Sequence, residues 1–135
     1  MQRAFKTKLK LNNRQRTLMA THAGYSRWVW NWALAMWNEA YKQGLKPSTN
    51  KLKKFYTNHI KPQYSWQSTL SSRVYQFAFM HLGEAFSRFF QGVAKHPKFK
   101  KKGRNDSFTL DNCGKLMKFS PKEVKTSFYW MGIHL

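Results

Sequence analysis

At 135 residues and 16.1 kDa the chain has the size of one domain, or of two small lobes sharing a core, which excludes a multidomain enzyme. Lys and Arg number 25 against 5 Asp and Glu, a formal charge of +20 that selects polyanions as partners. With 41% hydrophobic and 17% aromatic residues the chain can still bury a core, so it is not a disordered basic tail.

Residues 4–11 alternate, placing Phe5, Thr7, Leu9 and Leu11 on one face and Lys6, Lys8 and Lys10 on the other, which predicts a strand with a lysine row. Asn12 and Asn13 are N-cap candidates for a helix over 14–23, with Leu18, Met19 and His22 on its apolar side. Gly24 reads as a break or a tight corner between helices. A second helix is expected over 25–43. Between Trp28 and Trp37 only Asn31 is polar, so Trp30, Leu34, Trp37 and Tyr41 form one stripe and Val29, Ala33, Met36 and Ala40 another, the pattern of a buried central helix. Gly44 ends it, Pro47 lies in the following loop, and Ser48 caps a short basic helix over 49–60 bearing Lys51, Lys53 and Lys54. Residues 62–68 read as a loop carrying Tyr64 and Trp66.

The longest remaining element is expected over 70–94, where Tyr75, Phe79, Leu82, Phe86, Phe89 and Val93 recur at spacings of 4, 3, 4, 3 and 4. Arg73, Gln76, Met80, Glu84, Ser87, Gln91 and Lys95 share its opposite, polar face. A basic loop over 96–104 follows, and 107–110 with 115–119, around Asn112, Cys113 and Gly114, read as a β-hairpin.

Lysines cluster on the first row, on residues 51–54 and on residues 98–104, and such clusters give affinity for a phosphate backbone without sequence choice. The backbone contacts expected are Lys6, Lys8, Lys10, Lys51, Lys53, Lys54, Arg73, Lys98, Lys100, Lys101, Lys102 and Arg104. Reading a base edge needs amides, guanidiniums or small polar groups, and Gln76, one turn from Arg73, is the best placed. Asn50, Ser72, Ser107 and Thr109 are candidates of the same type whose ordinary use is as cap, turn or strand-surface residues. Most aromatics lie at helical spacing and belong to a core; Tyr64 and Trp66, between polar neighbours, are the two that suit stacking on an unpaired base.

Other chemistry finds little support. The five acids are Glu39, Glu84, Asp106, Asp111 and Glu123, too dispersed for a paired-carboxylate or multi-acid metal site. His22, His59, His81, His96 and His134 lack metal-ligand spacing, and no phosphate-cradling Gly-rich loop or nucleophile motif occurs, so no metal, cofactor or small-molecule substrate is expected. The single Cys113 excludes an intrachain disulfide and fits a reducing cytosol. No signal peptide is read in the alternating start, and the apolar run 28–37 is too short to cross a bilayer, so a cytoplasmic location is expected.

Four stretches fall in a recognisable order: Ala4-Phe-Lys-Thr-Lys-Leu, Gly24-Tyr-Ser-Arg-Trp-Val-Trp-Asn-Trp-Ala-Leu-Ala, Glu84-Ala-Phe-Ser-Arg-Phe-Phe and Pro97-Lys-Phe-Lys-Lys-Lys-Gly. Over residues 3–119 the chain resembles the N-terminal region of the transposon-encoded OrfB/TnpB family, RNA-guided nucleases related to type V CRISPR effectors. The resemblance implies a mainly α fold, a helical bundle inserted between β-strands of an incomplete wedge-type barrel. Its parts would be a first barrel strand (1–12), a helical, helix-turn-helix-like recognition lobe (13–96), a basic loop and β-hairpin (97–120) and an atypical tail (121–135). In relatives the lobe contacts guide RNA, the guide–target heteroduplex and the short duplex motif beside the target. Gln76 falls where the family's long helix approaches that motif, with Ser72 and Thr109 near comparable positions.

The family's RuvC-like catalytic domain and Cys-rich zinc-binding insert lie C-terminal to anything present, so the resemblance implies no cleavage, no catalytic residue and no metal. The tail departs from the family pattern and reads as a frameshifted or prematurely stopped end. The function expected is that of a non-catalytic fragment binding guide RNA, duplex DNA or both. The alternatives are the recognition subunit of a split nuclease whose RuvC-like chain is encoded separately, a cationic membrane-surface protein, and a reading frame without selected function.

Overall fold

The computed structural model describes residues 8, 10–104 and 106–109, and every structural statement concerns these. Helix α1 (Asn13–Lys42) opens on a capping box: the Asn12 side chain accepts from the Gln15 N–H at 2.8 Å, and the Gln15 side chain accepts from the Asn12 N–H at 3.0 Å. The helix then runs unbroken for 30 residues, so the corner expected at Gly24 does not exist. A helical glycine costs about 1 kcal/mol against alanine, and burial of Ala23, Tyr25 and Ser26 on either side outweighs it. The end foreseen at Gly44 is correct. Gly44 has φ 81°, its N–H bonds the Tyr41 carbonyl and the Leu45 N–H bonds the Ala40 carbonyl, a Schellman ending.

Ser48 holds the N-cap position of α2 (Thr49–Phe55), although its side chain makes no capping bond. The chain stays helical beyond it, widening into a π turn at Tyr56–Ile60 and tightening into a 3-10 turn at Lys61–Gln63. The loop expected over 62–68 is therefore replaced by that turn and the single-turn α3 (Ser65–Ser68). Pro62 sits in the first turn of its 3-10 segment, where a missing N–H breaks no bond. Ser68 and Thr69 return their hydroxyls to the Ser65 and Trp66 carbonyls, which ties down the short turn.

The π turn places Tyr56 at the centre of the fold. Its hydroxyl lies 2.6 Å from that of Tyr25 and donates to Gln67 Oε1 at 2.5 Å, linking α1, the π turn and α3 through three fully buried side chains. Burial pushes the Tyr25 phenol up to about 12 and raises that of Tyr56 further, so both remain neutral at physiological pH. The Gln67 Nε2 is buried without a hydrogen-bond partner, a penalty of about 1–3 kcal/mol that the surrounding ring packing offsets.

Helix α4 (Ser72–Phe90) starts at Ser71, whose hydroxyl accepts from the Arg73 N–H. It ends four residues before the position expected, because Gly92 at φ 79° closes a second Schellman motif with Phe89 and Arg88. Val93, read as part of the apolar face, is consequently 71% exposed. Trp32 meets Phe79, and Trp37 stacks on Phe86 at 4.0 Å and reaches Phe90 at 6.5 Å, so α1 and α4 run parallel. The core lines their interface with Val29, Ala33 and Leu34 from α1 and Val74, Ala78 and Leu82 from α4. Gly83 lets α4 pass α2 closely, since a Cβ there would stand 3.0 Å from Thr49 Oγ1.

Helix α1 is buried on one broad face and not all round, as its composition had suggested: Tyr41 is 66% exposed and Met36 37%. One long partner and a set of short turns cover only that face. The mainly α expectation holds among the described residues, which contain no strand. Of the first strand only Lys8, Lys10 and Leu11 are described, and none is in a strand; of the hairpin, Ser107, Phe108 and Thr109 are described, also outside any strand. The rest of both, with the tail 121–135, lies outside the described residues.

Two measurements check this account. Gly24→Ala should raise stability by about 0.5–1 kcal/mol, because the site is helical and a Cβ meets only the tip of Arg27 at 3.5 Å, whereas Gly83→Ala should lower it; urea midpoints report both. His22 is buried against Phe108, donates to the Leu18 carbonyl, and has its pKa lowered from 6.5, chiefly by burial. Neutral His22 is the folded form, so its contribution to stability is complete above pH 6.5 and is lost as pH falls below that toward the depressed folded value. The urea midpoint should drop from pH 7.5 to pH 5, and His22→Phe should flatten that drop.

Candidate nucleic-acid interface

The basic segment after α4 is strapped across α1. Asn31, the polar exception in the apolar run, uses both arms of its amide: Nδ2 donates to the Lys100 carbonyl at 2.9 Å and Oδ1 accepts from the Lys100 N–H at 2.7 Å. One turn of pairing otherwise supplied by a neighbouring strand comes here from a side chain. Trp30 Nε1 donates to the Lys98 carbonyl at 2.9 Å, and the Lys100 ammonium lies 4.4 Å above the Trp30 ring. Arg27 pairs with Asp106 at 2.9 Å, and the second Asp106 oxygen accepts from the Gly103 N–H, closing the turn there. Burial lowers the Lys100 pKa, and its charge is partly spent on Trp30. Lys98, Lys101, Lys102 and Arg104 are exposed on the same strap.

The remaining sites expected from sequence are distributed. Lys51 and Lys54 are exposed on α2 and Lys53 is half-buried; Lys8 and Lys10 are exposed, and Lys6 lies outside the described residues. Ser72 and Arg73 are exposed on the first turn of α4, where the Arg73 guanidinium donates to Gln76 Oε1 at 3.2 Å, so the two residues form one polar unit. Thr109 is buried, with its hydroxyl 3.1 Å from His81 Nε2. At 100° per residue His81 lies about 140° round α4 from Gln76, so Thr109 docks on a different face of that helix. Tyr64 and Trp66 both meet Trp28 edge-on, at 5.0 and 6.2 Å.

Arg27, Trp28 and Asn31 are not among the site residues expected from sequence, yet with Gly24 and Trp32 they line a cavity of about 420 Å³. The available signal was Asn31 itself: a single amide inside an apolar helical run needs a partner, and the partner is a backbone. Among the described residues no group of three or more His, Cys, Asp and Glu is placed to hold a metal ion, and no helix is long and apolar enough to cross a membrane.

Residues 1–46 match the helix-turn-helix domain of the OrfB family. Over that stretch the chain is similar to an OrfB-type N-terminal region. It is 30% identical over 130 residues, 95% of its own length, to "Putative RNA-guided DNA endonuclease InsQ" of Escherichia coli (strain K12), and spans 32% of that protein. Within the matched stretch the described structure is one helix, Asn13–Lys42, and the next begins only at Thr49.

Asn31→Ala keeps a good helix former at the position while removing both bonds to the strap. Trypsin should then cut at residues 98–102 about tenfold faster with the helical circular dichroism unchanged, because a loss of roughly 1.4 kcal/mol raises the open fraction tenfold.

Proposed function

We propose that this OrfB-type region binds nucleic acid through the phosphate backbone, within a transposon-encoded RNA-guided system in the cytoplasm. The observation that carries this reading is the strap: exposed Lys98, Lys101, Lys102 and Arg104 are held in place by neutral hydrogen bonds on a molecule of net charge +20. A held backbone presents its cations to a polyanion without the segment first being ordered, and each contact releases counterions. Lys51, Lys53 and Lys54 on α2, with Lys6, Lys8 and Lys10, extend the same surface, and the Arg73–Gln76 unit, with Ser72 beside it, is the candidate reader of base edges. Thr109, buried against His81 on another face of α4, lies apart from that unit. The ligands proposed are guide RNA, duplex DNA, or both, as the name of the similar endonuclease suggests for that protein. We assign binding and no catalytic step to these residues; the RuvC-like domain that such binding would serve is a partner, covalently joined or separate. The helical unit would sit between strands of a wedge-type barrel.

The test is a titration of binding against salt with a structured RNA and a DNA duplex. Log K should fall linearly with log salt, and the triple change Lys98→Ala, Lys101→Ala, Lys102→Ala should reduce the slope on duplex DNA by about 3, at roughly 0.9 per phosphate contact. An unchanged slope would remove the strap from the interface.

A further inference from the structure

Beside the strap, the face of α1 that the core leaves uncovered carries a cavity of about 420 Å³, lined by Gly24, Arg27, Trp28, Asn31 and Trp32. Its rim is aromatic. Trp28 is met by Tyr64 and Trp66 at interplanar angles of 64° and 89°, so neither is stacked flat on it, and the two keep 38% and 42% of their surface exposed. On the far side Phe55 lies parallel to Trp32 at 6.3 Å. The glycine leaves the floor open, since a Cβ at Gly24 would find nothing nearer than the tip of Arg27 at 3.5 Å.

Of the polar groups of this wall, the Asn31 amide and Nη1 of Arg27 are already committed. Asn31 spends its amide on the Lys100 backbone and Arg27 is paired with Asp106. A guest would therefore be held by ring contact and by the positive field, with no hydrogen-bond pattern to distinguish one base from another. From this we infer that the cavity beside Trp28 is a stacking site for an unpaired base of a single-stranded nucleic acid, accepted without sequence choice. A small apolar ligand would find the ring surface equally suitable, but the cationic strap fixed to the same helix selects a ligand that brings phosphates with it. A duplex hides its base faces in its own stack, so the site distinguishes single strands from double.

This inference rests on the reading of the chain as a nucleic-acid binder, and the experiment separates the two. Affinities of the whole chain are measured for a thymidine 12-mer, for an abasic 12-mer with the same phosphates, and for a 12-base-pair duplex, at several salt concentrations. The thymidine strand should bind about tenfold tighter than the abasic strand at every salt concentration, since base stacking on an aromatic is commonly of that size. Trp66→Ala, which removes a rim ring edge-on to Trp28 but leaves Trp28 and Trp32 in the lining, should reduce that margin and leave the abasic strand and the duplex unaffected. Equal affinity for the thymidine and abasic strands would overturn the stacking site and leave backbone binding standing. No salt-sensitive affinity for any of the three would overturn the proposed function, and the stacking site with it. The comparison of the two strands uses the unaltered chain, so it stands even if the Trp66 variant folds poorly.

Discussion

A chain with 25 cationic and 5 acidic side chains cannot neutralise itself on folding. Every ammonium and guanidinium that is not paired must reach water, and the interior has to be built without charge. The fold meets this constraint with rings and neutral hydrogen bonds: the Tyr25–Tyr56–Gln67 chain at the centre, the Trp37–Phe86 stack between the long helices, and the Trp30 and Asn31 bonds to the strap. Among the described residues Arg27 pairs with Asp106 at a partly exposed position, where such a pair contributes little to stability, and His81 Nδ1 stands 3.6 Å from Glu84 Oε2. Unpaired cationic surface is the result, and a partner of opposite charge is what it lacks.

Local rules in the sequence recovered much of this. The Asn12 cap, the Gly44 ending and the Phe-rich face of α4 are all present, because each depends on residues within a turn or two of one another. The failures occurred where tertiary packing overrides a local signal. Gly24 has a breaker's identity but a helical conformation, since its neighbours are buried on the interface with the rest of the bundle. The turn at Gly92 is hidden in the sequence because the apolar repeat carries on to Val93, although the backbone has already turned. The π turn at Tyr56 could not be read at all: one extra residue in a helical turn changes no composition and no period long enough to notice.

The candidate interface was legible in kind and less so in arrangement. Lysine clusters announce a polyanion partner, but clustering in sequence does not reveal that Lys100 lies over Trp30 while Lys101 and Lys102 face outward. It also does not reveal that Thr109 is turned inward to His81. Because Trp30 and Asn31 fasten Lys98 and Lys100 with uncharged groups, salt that would compete for a bound polyanion leaves those bonds in place and screens only the Arg27–Asp106 pair beyond them. Binding and scaffold therefore respond to different variables, which keeps the interface shaped when it is empty.

The parallel course of α1 and α4 bears on how the molecule is made. Two antiparallel helices can zip from a tight turn, but Trp37 and Phe86, which stack, are 49 positions apart in the chain. The loop between them must close before their contact stabilises anything, and that slows folding relative to a local hairpin of helices. During synthesis α1 leaves the ribosome with Trp37 wet, and it remains so until α4 has followed. A chain rich in both rings and lysines thus passes through a period when its stickiest surface has no cover, and its abundant positive charge, by keeping copies apart, guards that interval.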